Sequence, residues 1–184
     1  MTDPRPKAPP SPWVVRFAPL IAKNGAVLDL ACGSGRHTHY LAEGGYPVVA
    51  LDRNPDALEP LNSLTGVEIV AADLENENPW PLAGRQFAGI VVTNYLHRPL
   101  FPAIIDALAE DGILIIETFA LGNEAFGKPS NPDFLLRPGE LLEMVRGKLR
   151  VVAFEEGLIA VPRPAVVQRI CAVKSGLPAA VPLP

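Results

Sequence analysis

A short apolar run that leads directly into a glycine turn constrains the fold of this chain most strongly. Residues 26–30 have the composition of a strand that is buried on both faces. Gly33 and Gly35 follow at once, and glycine both adopts backbone angles that other residues avoid and lets a ligand approach the main chain. The next segment, 37–43, is predicted as a helix whose free N–H groups suit a carboxylate or a phosphate. A tight strand–helix turn without a ligand accounts for the same residues.

The alternation of strand and helix continues along the chain. Further strands are predicted at 48–52, 67–71, 87–93, 113–118, 151–154 and 165–173, and helices at 54–61, 99–109 and 138–146. This order indicates an α/β fold, a Rossmann-like three-layer sandwich with a mostly parallel sheet covered on both faces. The last two strands leave no room for a crossover helix, so they are expected to pair antiparallel. Ligands of such sheets bind outside the carboxyl ends of the strands.

The length of 184 residues suits one domain, predicted at 11–174, with a disordered lead-in at 1–10 and a loose tail at 175–184. The net charge of -4 argues against broad nucleic-acid binding, which needs a basic face. No apolar run reaches membrane-spanning length and no signal peptide is evident, so a cytoplasmic protein without membrane contact is expected. The two cysteines lack metal-ligand spacing, and we predict reduced thiols and no metal site.

Acidic residues end two of the predicted strands at the same edge of the sheet. Asp52 ends the second strand, where a carboxylate accepts hydrogen bonds from the two ribose hydroxyls of a nucleoside. Asp73 and Leu74 follow the third strand, where they suit the amino group and the ring of adenine. Taken singly, Asp52 is equally explained as a helix cap and Asp73 as a loop residue. Together with the glycine turn they favour nucleoside binding.

These segments resemble a known family. Residues 27–35, 49–52 and 72–74 are similar, in order, to motifs I, II and III of the class I S-adenosylmethionine-dependent methyltransferases, and the resemblance covers roughly Val14 to Val173. The resemblance implies the sheet order 3-2-1-4-5-7-6 and S-adenosylmethionine as cofactor. The sequence Gly35-Arg36-His37 and the compact size of the chain look similar to the tellurite-resistance-type branch of the family.

The resemblance also implies a set of cofactor-binding residues. Asp29 is expected to orient the glycine loop and the methionine end of the cofactor, Asp52 to hold ribose, and Asp73 with Leu74 to hold adenine. Arg16, on a first helix that begins at Ser11-Pro12, is a candidate partner for the methionine carboxylate, and an exposed arginine on a packing helix is the equal alternative. The remaining members of the predicted set are Ala31, Cys32, Gly33, Gly35, Arg53 and Thr93.

The segment after the fourth strand carries the candidate catalytic residues Asn94, Tyr95 and His97. Methyl transfer is an in-line displacement from a sulfonium, which needs alignment and a dry pocket more than strong acid–base groups. His97 is the candidate proton acceptor for a hydroxyl or amine nucleophile, and a capping or hydrogen-bonded surface histidine is the favoured alternative. The segment lacks the Asn/Asp-Pro-Pro-Tyr/Phe motif of amide methylases, which disfavours nucleobase or glutamine nitrogen as acceptor.

A long loop follows the fifth predicted strand, at the same edge of the sheet. It contains Phe119, Phe126 and Phe134, and loops of this length at an active edge are typical of lids and specificity elements. We therefore predict that these aromatic rings line a substrate pocket; the alternative is that they return to the core.

The sequence favours a methyltransferase that acts on a small-molecule acceptor. A methyltransferase-like protein that binds S-adenosylmethionine without turnover is the second hypothesis. An NAD-dependent oxidoreductase is the third, but its fingerprint has a third glycine where this chain has Thr38, and no hydride-transfer signature is present.

Overall fold

Seven strands form one sheet within residues 8–76, 78–175 and 184, the part of the chain that the computed structural model describes. The sheet order is β3-β2-β1-β4-β5-β7-β6, as the sequence resemblance implies. The pairs from β3 to β5 are parallel, and β7 runs antiparallel to both β5 and β6, which confirms the predicted α/β fold class. The strands are β1 (Val27–Leu30), β2 (Val48–Asp52), β3 (Val67–Ala71), β4 (Phe87–Thr93), β5 (Leu108–Phe119), β6 (Arg150–Ile159) and β7 (Ala165–Val173).

Side chains alternate between the two faces of the sheet and build a core on each. Leu28, Ile90 and Leu114 pack on one face, and Val27, Val91 and Ile115 on the other. The first face is covered by α4 (Phe101–Asp106) and α5 (Glu140–Val145), and the second by α1 (Pro12–Phe17) and α2 (Arg36–Glu43). A short helix, α3 (Pro55–Leu58), covers Ala50 and Cys32 beside them.

Three predicted helices are shorter than expected, and the one predicted at 138–146 differs least, since α5 spans Glu140–Val145. The segment 54–61 is α-helical only as far as Leu58 and continues as a 3-10 helix, since Pro60 has no N–H to donate within an α-helix. The predicted helix 99–109 is wrong at its end, because α4 stops at Asp106 and β5 already begins at Leu108. Leu108 pairs with Phe87, and the register then shifts before Gly89 pairs with Ile113. Tertiary strand pairing therefore overrides the local helical pattern there.

The first helix is tied to the sheet by polar contacts that close its N-terminus. Ser11 caps the helix, because its hydroxyl oxygen accepts a hydrogen bond from the Trp13 amide at 3.1 Å, and Pro12 occupies the first helical position. The same hydroxyl donates to Glu117 Oε1 at 2.8 Å, and Trp13 Nε1 donates to the Ile170 carbonyl. The predicted start of the first helix at Ser11-Pro12 is confirmed. The contacts of Ser11 and Trp13 attach α1 to β5 and β7.

Most of the predicted lead-in at 1–10 and of the predicted tail at 175–184 lies outside the described residues, which lack 1–7 and 176–183. Among the helices of the described residues, none combines the length and the apolar character needed to cross a membrane.

Replacing Ser11 with alanine tests the anchoring of α1. We expect Ser11→Ala to lower the free energy of unfolding by about 2 kcal/mol, because the variant loses the cap and leaves a buried oxygen of Glu117 without its donor. Urea unfolding measures the change. Ser130→Ala removes an exposed hydroxyl and is the control, with an expected change within about 0.5 kcal/mol. Equal stability of the two variants would contradict the anchoring role.

Candidate active site

The carboxyl ends of the first four strands meet around a crevice of about 120 Å³. Five residues of the predicted set line it directly, and Tyr95 closes it from the end of β4. The lining residues are Ala31, Leu51, Asp52, Arg53, Ala72, Asp73, Leu74, Glu75 and Tyr95. Parallel strands place their carboxyl ends at one edge, so residues that are far apart in the sequence share this crevice.

The glycine loop is bound to the end of β2. The Gly33 amide donates to Asp52 Oδ2 at 2.8 Å, and the Asn54 amide donates to the other carboxylate oxygen at 2.9 Å. Gly33 has a φ of +55°, and a Cβ added there would meet no atom within 4 Å, so one side of the loop backbone is open. Two backbone amides therefore orient the Asp52 carboxylate, and each of its oxygens keeps lone pairs for a ligand.

Two other members of the predicted set serve packing within the loop. Gly35 has a φ of +77°, and a Cβ there would lie 2.5 Å from Leu61 Cδ2, which leaves no room for a side chain. The Cys32 side chain packs among Ala50, Leu58 and Leu61, where burial raises the pKa of its thiol. The backbone at Cys32, rather than its sulfur, is what the loop presents.

Asp29 lies beneath the loop rather than in the crevice. It is almost fully buried, and the Thr38 hydroxyl of α2 donates to its Oδ2 at 2.6 Å. Burial raises the pKa of the carboxyl to about 6 despite this hydrogen bond. Thr38, the residue that replaces the third glycine of a dinucleotide fingerprint, thus joins β1 to α2. Asp29 supports the position of the loop from below.

Tyr95 carries an unpartnered hydroxyl at the crevice. The oxygen is buried and makes no hydrogen bond of normal geometry with the described residues, although the Glu75 carboxylate lies close enough to influence it. Burial, followed by the nearby carboxylates of Glu75 and Asp73, raises the pKa of the phenol, so it stays protonated at neutral pH. A buried hydroxyl without a partner is uncommon in proteins, and a group that binds in the crevice would supply one.

Thr93 joins a buried chain of polar contacts that sequence analysis missed. Its hydroxyl lies 3.3 Å from His37 Nδ1, and the Ser11 amide donates to His37 Nε2 at 3.1 Å. Because Nε2 accepts that bond, Nδ1 carries the ring proton and points at Thr93. Burial lowers the pKa of His37 to about 3, so the ring is neutral. The chain connects β4, α2 and the start of α1.

The three predicted catalytic residues do not share one surface. Asn94 is exposed, with a φ of +55°, and its backbone N–H donates to the backbone carbonyl of Glu117. Tyr95 lines the crevice described above. His97 is half-buried and borders a small void together with Tyr95 and Thr118. The structure therefore separates His97 from the surface that Asn94 occupies.

A second concavity of about 510 Å³, here called the outer groove, adjoins the end of β4 and β5. Its lining residues are Asn94, Phe119, Lys128, Pro129, Ser130, Asn131, Phe134 and Arg163. Phe134 is 49% exposed and faces this groove, as the loop prediction expects. Phe126 is 47% exposed and does not line it. The long loop therefore contributes one side of a groove rather than a plug for the core.

A partly buried ion pair holds the long loop in place. Arg98 Nε donates to Glu140 Oε1 at 2.6 Å, while its other nitrogens donate to the carbonyls of Asp133 and Leu135. Burial alone would raise the pKa of Glu140, but hydrogen bonds from Arg98 and Arg137 lower it to about 2. Arg98 thus connects the segment after β4 to the loop beside the outer groove.

Arg16 is not brought to the glycine loop by its described contacts. Its guanidinium lies 3.6 Å from Glu155 of β6 and 4.9 Å from the centre of the Phe17 ring. Glu155 in turn pairs with Arg169, which also pairs with Glu117. These contacts favour the packing alternative for Arg16.

The residues that sequence analysis missed are mostly polar side chains inside apolar segments. Glu117 directly follows the apolar run 113–116 of the fifth strand, and a charged residue there is a signal that was available from the sequence. The partners of His37 and Arg98 are 26 and 42 residues away along the chain. Only the folded chain shows which residues those are.

Comparison with known proteins identifies the family to which part of the chain is similar. Residues 27–112 match the model of a family described as a methyltransferase domain. Over 103 residues the chain is 31% identical to a protein of Protochlamydia amoebophila described as an uncharacterized RNA methyltransferase, covering 50% of this chain. The chain spans 24% of the length of that curated relative.

Solved structures share the fold at low sequence identity. TehB from Haemophilus influenzae matches with a TM-score of 0.72 and 22% identity, over 88% of this chain and 61% of TehB. A TehB-like S-adenosylmethionine-dependent methyltransferase from Corynebacterium glutamicum matches with 0.64 and 20%, over 88% and 86%. The glycopeptide N-methyltransferase MtfA, solved with S-adenosylhomocysteine, matches with 0.64 and 19%, over 91% of each chain.

His37 and Asp29 have pKa values shifted in opposite directions, so they predict opposing effects of pH on stability. Between about pH 3 and 6.5 the unfolded chain binds more protons at His37 than the folded chain, so stability falls as the pH drops. Between about pH 4 and 6 the folded chain binds more protons at Asp29, so stability falls as the pH rises. The two effects offset each other where the windows overlap.

Removing one group at a time separates the two effects. Relative to the parent, we expect the unfolding free energy of His37→Asn to decline from pH 4.5 to 6 by up to about 1.4 kcal/mol per pH unit. Asp29→Asn is expected to change the slope in the opposite sense. Urea unfolding at closely spaced pH values provides the profile. Profiles parallel to that of the parent in both variants would show that these two groups are not shifted.

Proposed function

We propose that this chain is a class I S-adenosylmethionine-dependent methyltransferase that transfers the methyl group to a small-molecule acceptor by in-line displacement. The match of residues 27–112 to the model of a methyltransferase domain family and the shared fold of solved methyltransferases support the proposal. One observation carries the proposal. The oriented carboxylate of Asp52 and the unpartnered hydroxyl of Tyr95 line the same crevice at the carboxyl edge of the sheet. Ligands of parallel α/β sheets bind at that edge.

The residues of the crevice fit the cofactor. Asp52 would accept hydrogen bonds from the ribose hydroxyls, since its carboxylate is held in place by two backbone amides. Asp73 and Leu74 would hold adenine from the end of β3. The open backbone at Gly33 would receive the methionine end. The Tyr95 hydroxyl has no partner among the described residues, and a polar group of the ligand would satisfy it.

S-adenosylmethionine supplies a methyl group on a sulfonium, which a nucleophile in line with the bond accepts. The chain contributes position: Asn94 lines the outer groove and Tyr95, the next residue, lines the crevice. Alignment of two reactants in this way contributes roughly 7–11 kcal/mol to lowering a barrier. His37 is buried with both nitrogens engaged, so it holds α1 and β4 rather than a substrate proton.

RNA is the second candidate acceptor, since the curated relative is described as an RNA methyltransferase. The net charge of -4 favours a small molecule instead, because RNA backbones bind to basic faces. A methyltransferase-like protein that binds the cofactor without turnover is the remaining alternative. It predicts affinity for S-adenosylmethionine and no methylated product with any acceptor.

The first experiment is calorimetric titration of the protein with S-adenosylmethionine and, separately, with NADH. We expect saturable binding of S-adenosylmethionine and at least tenfold weaker binding of NADH, which corresponds to about 1.4 kcal/mol. No binding of S-adenosylmethionine at millimolar concentration, with the protein folded, would overturn the proposal. Tight binding of NADH would revive the oxidoreductase.

The role of Asp52 is tested by Asp52→Ala. We expect the affinity for S-adenosylmethionine to fall about tenfold or more, because the carboxylate would lose its bonds to the ribose and release the glycine loop. Asp56→Ala is the matched control, since Asp56 is exposed on the nearby helix α3. Unchanged affinity in Asp52→Ala would remove the ribose assignment.

The Tyr95 hydroxyl gives a test in which stability and binding move independently. We expect Tyr95→Phe to leave the free energy of unfolding unchanged or higher, since the hydroxyl has no partner in the described structure, and to weaken S-adenosylmethionine binding several-fold. Tyr46→Phe is the contrast: its hydroxyl donates to the Ala18 carbonyl at 2.7 Å, so about 1 kcal/mol of stability is lost with no effect on binding. A Tyr95→Phe variant with full affinity would show that the hydroxyl does not contact the cofactor.

A further inference from the structure

We propose that the outer groove recognises an aromatic carboxylate, a small planar molecule that carries one negative charge. The inference deepens the proposed function, since it names the class of acceptor for the same site. It is carried by three features of the groove: two cationic side chains, two phenylalanine rings and its position beside the crevice.

The two cations of the groove are Lys128 and Arg163. Both are exposed, and neither has an ion pair or a hydrogen bond with any described residue. By contrast, Arg85, Arg98 and Arg169 are each paired with a glutamate. No aspartate or glutamate is among the residues that line the groove, although the whole chain has a net charge of -4. A carboxylate in the groove therefore meets two unpaired cations and no carboxylate among the lining residues.

The apolar surface of the groove is aromatic. Phe119 ends β5, and Phe134 lies on the long loop with about half of its surface exposed. The Arg98–Glu140 pair fixes that loop through the carbonyls of Asp133 and Leu135, on either side of Phe134. The ring is thus held in the groove in an exposed position, where its face and edge are available to a planar ligand.

The position of the groove connects it to methyl transfer. Asn94 lines the groove and Tyr95 lines the crevice, and consecutive Cα atoms are about 3.8 Å apart. A planar molecule that is anchored in the groove by its carboxylate can therefore direct a second substituent toward the end of β4. The donor and acceptor sites are then adjacent, and only the peptide bond between Asn94 and Tyr95 separates them.

The test compares two probes with the same ring and hydroxyl but different charge, 4-hydroxybenzoate and 4-hydroxybenzamide. Calorimetry measures their binding to the full chain, with and without saturating S-adenosylhomocysteine. We expect the carboxylate to bind about tenfold more tightly than the amide, and the preference to shrink at high salt. Equal affinity of the two probes at low salt would overturn the inference.

Variants locate the preference. The double variant Lys128→Gln with Arg163→Gln is expected to bind both probes equally. Lys148→Gln with Arg150→Gln changes the net charge by the same amount and is the control, because Arg150 begins β6 at the opposite edge of the sheet. An equal loss of preference in the control would overturn the inference, since it would reveal a general charge effect.

Two further outcomes separate this inference from the proposals it rests on. An RNA oligonucleotide could displace 4-hydroxybenzoate, bind more tightly than it does, and lose that affinity only in the Lys128→Gln and Arg163→Gln double variant. That outcome would overturn the inference, because RNA would replace the small acid as ligand of the groove. Failure of S-adenosylhomocysteine to bind would overturn the proposed function, whereas intact cofactor binding without a charge preference would overturn only the inference about the groove.

Discussion

The hydrogen bond from the Gly33 amide to the Asp52 carboxylate is the contact on which the shape of the site depends. It joins the loop after β1 to the end of β2, two adjacent strands in the middle of the sheet. Asp29 and Thr38 brace the same loop from below, and Gly35 packs it against Leu61. The loop is therefore held from three sides while its outer face at Gly33 stays open, which is the arrangement that a ligand-binding backbone requires.

The neighbouring polar groups illustrate why the site is surrounded by buried hydrogen bonds. Ser11, His37 and Glu117 lie in an apolar interior, where an unpaired polar group costs about 1–3 kcal/mol. Each has partners on another element, so α1, α2 and β5 are bound together next to β4. The Tyr95 hydroxyl is the exception within the described structure, and it lies at the crevice. Because the other buried side-chain polar atoms of the described residues have partners, the Tyr95 hydroxyl is a candidate contact for a bound ligand.

The crevice and the outer groove differ in chemistry, as the proposed methyl donor and acceptor do. The crevice is lined by Asp52, Asp73 and Glu75, which are acceptors suited to hydroxyl and amino groups. The outer groove carries Lys128 and Arg163, which are donors suited to an anion. The crevice and the outer groove therefore carry opposite local charge on the two sides of the end of β4. Each of them favours a different kind of ligand, although the net charge of the chain is small.

The sequence by itself determined the alternation of strands and helices, the edge of the site and the lining residues Asp52, Asp73 and Leu74, because strand periodicity and glycine turns are local properties of the chain. The sheet order followed from the family resemblance and not from these local patterns. The start of β5 was misread, since its pairing with β4 replaces a local helical pattern. Only the tertiary structure decided that Arg16 meets Glu155, that His97 is apart from Asn94, and that Lys128 and Arg163 share a groove. These facts depend on which distant segments pack together, and that choice is made by the whole core rather than by any one stretch of sequence.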